Sequence, residues 1–216
     1  MSATPIEISV GGSRTATEWD GCSITWADFT DDLQNAMQNN CGTETHAEYM
    51  ALSKGKQADL KDVGGFVGGT LRGGSRKRGC CTGRSLITLD MDNCEPGSTA
   101  KWCRSSGHGH GSVYSTRKHD PEHPRLRAIF PTDRGIQPEE YQPAPGLLAQ
   151  MLDPTIRSFD PNHLSRPEPL IVLAQPQRRQ PVGLRGHRGR QPQSAWTTCC
   201  GSTPTGTTCA NGPPAR

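Results

Sequence analysis

Apolar and polar positions alternate over residues 5–10 (Pro-Ile-Glu-Ile-Ser-Val), which predicts a β-strand near the start of the chain. Thr25 followed by Asp28 marks a helix start. Phe29, Leu33 and Met37 then recur every fourth residue and give that helix one apolar face. A second short helix is predicted over 47–52. Lys61-Asp-Val-Gly-Gly-Phe-Val-Gly-Gly-Thr70 holds four glycines. Such a run could bring backbone amides up to a phosphate, but it lacks the Lys-Ser/Thr of a phosphate loop and reads as a pair of turns.

The middle of the chain has the clearest order. Leu86-Ile-Thr-Leu-Asp-Met-Asp92 reads as a strand, Val113 to Thr116 as a second, and Arg125-Leu-Arg-Ala-Ile-Phe130 as a third. Asp120-Pro-Glu-His-Pro124 is a turn signal, so the last two strands are expected to pair as a hairpin. Pro138-Glu139-Glu140 opens a helix with acidic residues at its positive end. That helix carries Tyr141, Leu147, Leu148, Met151 and Leu152, with Pro143 and Pro145 in its first turns.

Composition limits how far this order extends. Only 31% of the 216 residues are hydrophobic and 5% aromatic, against about 45% apolar in an average globular chain. After Asp160 the character changes: residues 161–216 hold one acidic residue (Glu168), seven arginines, no lysine and half of all 18 prolines. Two regions follow, a folded domain over 1–160 and a Pro/Arg-rich tail over 161–216, expected on composition to be disordered. The net charge of +3, from 24 basic and 21 acidic residues, is too balanced to point to a nucleic acid by itself. The N-terminus lacks a basic region followed by an apolar run, and no stretch approaches the ~20 apolar residues of a membrane span, so a cytoplasmic location is expected. The nine cysteines are then reduced thiols. Cys94, Cys103, His108 and His110 do not have the spacing of a common zinc module.

The chemistry concentrates on the strand that ends at Asp92. Side chains alternate across a strand, so Ile87, Leu89 and Met91 face the core while Thr88, Asp90 and Asp92 share the other face. Two adjacent carboxylates stay ionised together only beside positive charge. A hard divalent cation supplies that charge, and Mg²⁺ binds one or two carboxylates plus substrate phosphates. A bare Asp-x-Asp is a weak signal, and a solvated strand end is the plainer reading. Its context adds weight: Lys118 and His119 end the segment Tyr114-Ser-Thr-Arg-Lys-His, and Arg125 and Arg127 share one face of the paired strand, opposite Leu126, Ala128 and Phe130. Guanidinium groups there suit a triphosphate or a template backbone.

The ordered series Asp62-Val-Gly-Gly-Phe-Val-Gly68, Arg84-Ser-Leu-Ile-Thr-Leu-Asp-Met-Asp92, Tyr114-Ser-Thr-Arg-Lys-His119, Pro124-Arg-Leu-Arg-Ala-Ile-Phe-Pro131 and Glu139-Glu-Tyr141 resembles a family. It is similar to the primase domain of phage and mobile-element replication proteins of the virulence-associated protein E type, in the archaeo-eukaryotic primase superfamily. The resemblance covers roughly residues 6–160. It implies an α+β fold, an RRM-like antiparallel sheet with flanking helices. It also implies template-directed nucleotidyl transfer with Mg²⁺ or Mn²⁺, acting on single-stranded DNA and nucleoside triphosphates, with a replicative helicase as a further partner. Asp90 and Asp92 fall on the family's first motif. His119 falls on the second, with Arg117 where a serine is often found, and Asp160 in Phe159-Asp160 falls on the third. The catalytic set implied is thus Asp90, Asp92 and His119, the metal set Asp90, Asp92 and Asp160, and the phosphate binders Lys118, Arg125 and Arg127. A non-catalytic nucleic-acid-binding remnant is the alternative. A metal-dependent glycosyltransferase of the Asp-x-Asp type leaves His119, Arg125 and Arg127 unexplained.

Beyond Phe159-Asp160 the family pattern breaks off. Read one base later, codons for Asn162-His-Leu164 can encode Thr-Thr-Tyr, and those for Pro169 to Ala174 can encode Arg-Leu-Leu-Tyr-Trp-Pro, both family-like strings. A frameshift near Pro161 is therefore expected in the coding sequence.

Overall fold

The computed structural model describes residues 5–39, 43–98, 111–155, 157–164 and 171–172. These form an α+β fold with two four-stranded sheets, and every strand pair is antiparallel. Strand β1 (Ile6–Gly11) pairs with β2 (Asp20–Ile24) and with β3 (Gly65–Val67). Helix α1 (Trp26–Asn39) starts where Thr25 and Asp28 predict it. The Asp28 N–H donates to Thr25 Oγ1 at 3.1 Å, and Thr25 Oγ1 donates back to the Asp28 carboxylate at 2.6 Å. Phe29 and Leu33 bury the expected face, with Phe29 edge-on to Phe66 at 5.1 Å; the Met37 side chain lies outside the described residues.

Helix α2 (His46–Ala51) is closed at its start by a reciprocal pair of bonds between Thr45 and Glu48. Helix α3 (Lys54–Lys61) has no counterpart in the sequence reading. The glycine run after it forms two short strands, β3 and β4 (Gly69–Leu71), rather than a pair of turns. Its glycines allow backbones to approach each other. The Ser85 and Leu86 amides both donate to the Gly68 carbonyl, at 2.9 and 3.1 Å, and a Cβ on Gly68 would sit 2.6 Å from Leu86 Cβ. The chain crosses between the two sheets at this point.

The second sheet has the order β4-β5-β7-β6, built from β5 (Cys81–Met91), β6 (Ser112–Ser115) and β7 (Leu126–Ile136). The expected hairpin is present, with Val113 opposite Ala128 and Tyr114 opposite Arg127. Strand β7 runs past Pro131, where the periodicity predicted its end, because the register with β5 shifts between Arg84 and Leu86 and an irregular pair accommodates a residue with no N–H. The single helix expected after Pro138 is two, α4 (Pro138–Tyr141) and α5 (Ala144–Leu152), since Pro143 cannot donate the bond that would join them. Tyr141 is buried and Leu148 and Leu152 pack on the core, but Leu147 and Met151 are exposed.

Both faces of this sheet are covered. Leu89, Met91, Val113, Leu126 and Ala128 pack with Ala149 and Phe159 on one side. On the other, Leu86, Tyr114 and Ile129 pack with Ile6, Ile8, Phe29 and Phe66. Thr88 is therefore buried, not on an open polar face as alternation alone suggested. Only the end of that face, from Asp90 onward, reaches solvent. Past Asp160 the chain adds a helical turn, α6 (Pro161–Leu164), and a two-residue strand, β8 (Ile171–Val172), paired with β3. The rest of the tail lies outside the described residues.

Candidate functional site

The end of β5 and the start of β7 put four charges together in two cross-strand pairs. Asp90 and Arg127 are direct partners in the register, and Arg127 Nε donates to Asp90 Oδ1. Just beyond the strands, Arg125 Nη1 donates to Asp92 Oδ2 at 3.1 Å. Alternation explains why the acids share a face and the arginines share a face; antiparallel pairing then turns the two sets toward each other. Burial works against the Arg127 charge, but Tyr114 and Asp90 outweigh it, so the guanidinium stays protonated.

His119 closes the β6–β7 connection. Its N–H donates to the Thr116 carbonyl at 2.9 Å, and its Nδ1 accepts the Arg125 amide at 3.2 Å. With Nδ1 an acceptor, the neutral ring carries its proton on Nε2. Arg117 points inward. It is fully buried over the Tyr49 ring, 4.6 Å from its centroid, and Nη2 donates to both the backbone and the carboxylate of Glu44.

Asp160 is tied to the strand by its backbone: its N–H donates to the Asp90 carbonyl at 2.9 Å, and its carboxylate accepts the Asn162 amide at 3.0 Å at the start of α6. Among the described residues, no group of three or more His, Cys, Asp or Glu is arranged to hold a metal. Each of the two strand carboxylates holds an arginine through one oxygen, and the Asp160 carboxylate accepts the Asn162 amide. The positive charge that two neighbouring carboxylates require is supplied by Arg125 and Arg127. Cys94 is buried, which pushes its thiol up to about 11, and Cys103, His108 and His110 lie outside the described residues.

Lys61, at the end of α3, is a member of this site that the sequence reading passed over. It is half-buried within electrostatic reach of Lys118, Arg127, Asp92 and Arg125. Burial first, then Lys118, Arg127 and Arg125, push its ammonium below the usual lysine value, against the pull of Asp92. The signal available in the sequence is its place directly before Asp62-Val-Gly-Gly. With Lys61 included, four cations, Lys61, Lys118, Arg125 and Arg127, lie within electrostatic reach of one another here.

A family model described as the VapE N-terminal domain matches residues 2–165. Among curated proteins and among solved structures, nothing matches the chain.

Proposed function

Because this chain belongs to the VapE N-terminal domain family, of replication proteins of the virulence-associated protein E type, we propose that it serves the replication of a phage or mobile element by holding phosphate groups at the Asp90–Arg127 end of the second sheet. The ligand is a single-stranded DNA backbone or a nucleoside triphosphate. The observation that carries this reading is that Asp90 and Asp92 are each paired with an arginine, while Lys61 and Lys118 lie within electrostatic reach of the same arginines. The excess positive charge at a solvent-reaching sheet end attracts a polyanion without base specificity. The two arginines hold the acids, which leaves the lysines to meet the ligand.

Replacing Asp92 by Asn tests the reading. Asp92 and Arg125 are both more than a third exposed, so the change frees the guanidinium without unbalancing the core. The expected result is that Asp92→Asn binds a labelled single-stranded oligonucleotide several-fold more tightly in EDTA. Weaker binding would contradict the proposal.

A second reading, template-directed nucleotidyl transfer with Mg²⁺ or Mn²⁺, is favoured by the shared strand face of Asp90 and Asp92 and by the nearness of the Asp160 backbone. In it His119, Lys118, Arg125 and Arg127 position the substrate. It requires metal-dependent incorporation of nucleotides that Asp90→Ala/Asp92→Ala abolishes. Equal incorporation by both proteins would remove it.

A further inference from the structure

The hairpin loop between β4 and β5 reads Arg72-Gly-Gly-Ser-Arg-Lys-Arg-Gly79, four cations in eight residues with no acid. Its shape is fixed from within and from the first sheet. The Arg72 N–H donates to the Cys80 carbonyl at 2.7 Å, and the Cys80 N–H donates to the Lys77 carbonyl at 3.0 Å. Just before β2, the Trp19 N–H donates to the Gly74 carbonyl at 2.9 Å. Gly74 takes a positive φ of 63°, and a Cβ on it would sit 2.7 Å from the Trp19 carbonyl oxygen, so the loop seats here only as glycine. The Arg76 guanidinium lies over the buried Trp19 ring, 5.1 Å from its centroid, and its Nη2 donates to the Arg14 carbonyl at 2.7 Å. Arg76 is the anchor of the loop. Arg72, Lys77 and Arg78 are exposed. Among the described residues, none of the four cations has an acid within salt-bridge distance.

We propose that this loop is a second nucleic-acid contact of the protein: Arg72, Lys77 and Arg78 take the phosphodiester backbone, and Arg76 holds the loop in the shape that presents them. A loop already fixed by its own bonds and by Trp19 has less backbone freedom to lose on binding. The chemistry of the loop selects the partner. It offers cations and glycine backbone but no exposed large apolar side chain. It therefore lacks the anchor of a protein interface and the apolar face of a membrane-surface segment. Charge without such an anchor suits a backbone that is bound regardless of sequence. Position selects the size of the ligand. The loop enters β5 at Cys81, while the Asp90–Arg127 pair lies near the other end of that strand, about 30 Å away at 3.3 Å per residue. One nucleoside triphosphate cannot touch both places, but a strand can. The inference rests on the phosphate-binding reading above for the class of ligand, and adds a contact that only the polymer can use together with the sheet end.

The test uses the full chain, the loop variant Lys77→Gln/Arg78→Gln, and a control with the same charge change at the exposed start of α3, Lys54→Gln/Lys56→Gln. Each is titrated in EDTA against a labelled single-stranded oligothymidine, a duplex of the same length, ATP and poly-glutamate. The loop variant is expected to bind oligothymidine about tenfold more weakly, with a log–log salt slope lower by about 1.4 for two lost phosphate contacts. Its ATP binding and thermal midpoint should match wild type, and the control should bind every probe as wild type does. Loss on the single strand, the duplex or both supports the contact and identifies the backbone it takes. An equal loss in the control, or on ATP, marks a net-charge effect and overturns the inference. Undiminished binding of both nucleic acids by the loop variant overturns it too and leaves the sheet-end reading standing; if poly-glutamate binding alone falls, the loop serves an acidic protein instead. A weakened loop variant beside an Asp92→Asn that binds no more tightly keeps this contact and removes the sheet-end reading. Failure of the wild type to bind either nucleic acid removes both.

Discussion

Arg117 carries a charge into the interior for little electrostatic return. Among the described residues its one acidic partner, Glu44, is 28% exposed, and its buried Nε and Nη1 meet no hydrogen-bond acceptor. What it supplies is volume against Tyr49 and one anchored Nη2. Truncation to Ala should therefore cost about 3 kcal/mol through the void left behind, and Arg117→Met should recover more than half of that despite losing the charge. Urea unfolding of the two variants checks this; equal losses would mean that the ion pair, not packing, holds the site. The residue scale is also where the sequence was least informative. Alternation assigned Asp90, Asp92, Arg125 and Arg127 to faces correctly. It could not show that each acid meets an arginine, because that depends on the register between strands more than thirty residues apart. Arg117 and His119 are likewise separated by one residue, yet one points into the core and the other closes a turn on the Arg125 amide.

Among the elements, those the sequence hid are the ones whose stability comes from outside them. Helix α3 is polar and contains Gly55, so periodicity is silent. It is held because the Gln57 side-chain amide donates to the carbonyls of Tyr49 and Leu52 at the end of α2. Strand β2 is a short, exposed edge strand that relies on β1 for its pairing. Strand β5 and helix α1 were legible because each carries its own apolar pattern and, for α1, its own cap. The glycines of the 65–69 run were visible, but their purpose was not. A Cβ on Gly69 would fall well inside contact distance of the Gly83 carbonyl, whereas one on Gly55 would meet nothing within 4 Å. Gly69→Ala should destabilise by about 3 kcal/mol by forcing β4 from β5, while Gly55→Ala should stabilise by about 0.5–1 kcal/mol as a helix substitution. Chemical denaturation separates them; a mild Gly69→Ala would mean that the two strands can slide apart at little cost.

For the molecule as a whole, a net charge of +3 pointed nowhere in particular, yet folding gathers cations from α3, the β6–β7 connection and β7 around one sheet end. The likeness to replication proteins of the virulence-associated protein E type, read from motif order, agrees with the match over residues 2–165, which is to the N-terminal domain of that type. The match and the fold both continue beyond Asp160, into the helical turn at 161–164, where composition alone suggested that order stops. No described helix is long and apolar enough to cross a membrane.

Phosphate recognition by this sheet end needs no metal if the cations alone hold the ligand. Its most direct test is a salt titration of wild-type binding to a labelled single-stranded oligonucleotide, run once in EDTA and once in Mg²⁺. The expected result is binding at low salt in both buffers, with an affinity that falls linearly on a log–log plot with a slope of roughly 0.7 for each phosphate contacted. Binding that appears only with Mg²⁺, or none at low salt in either buffer, would contradict it.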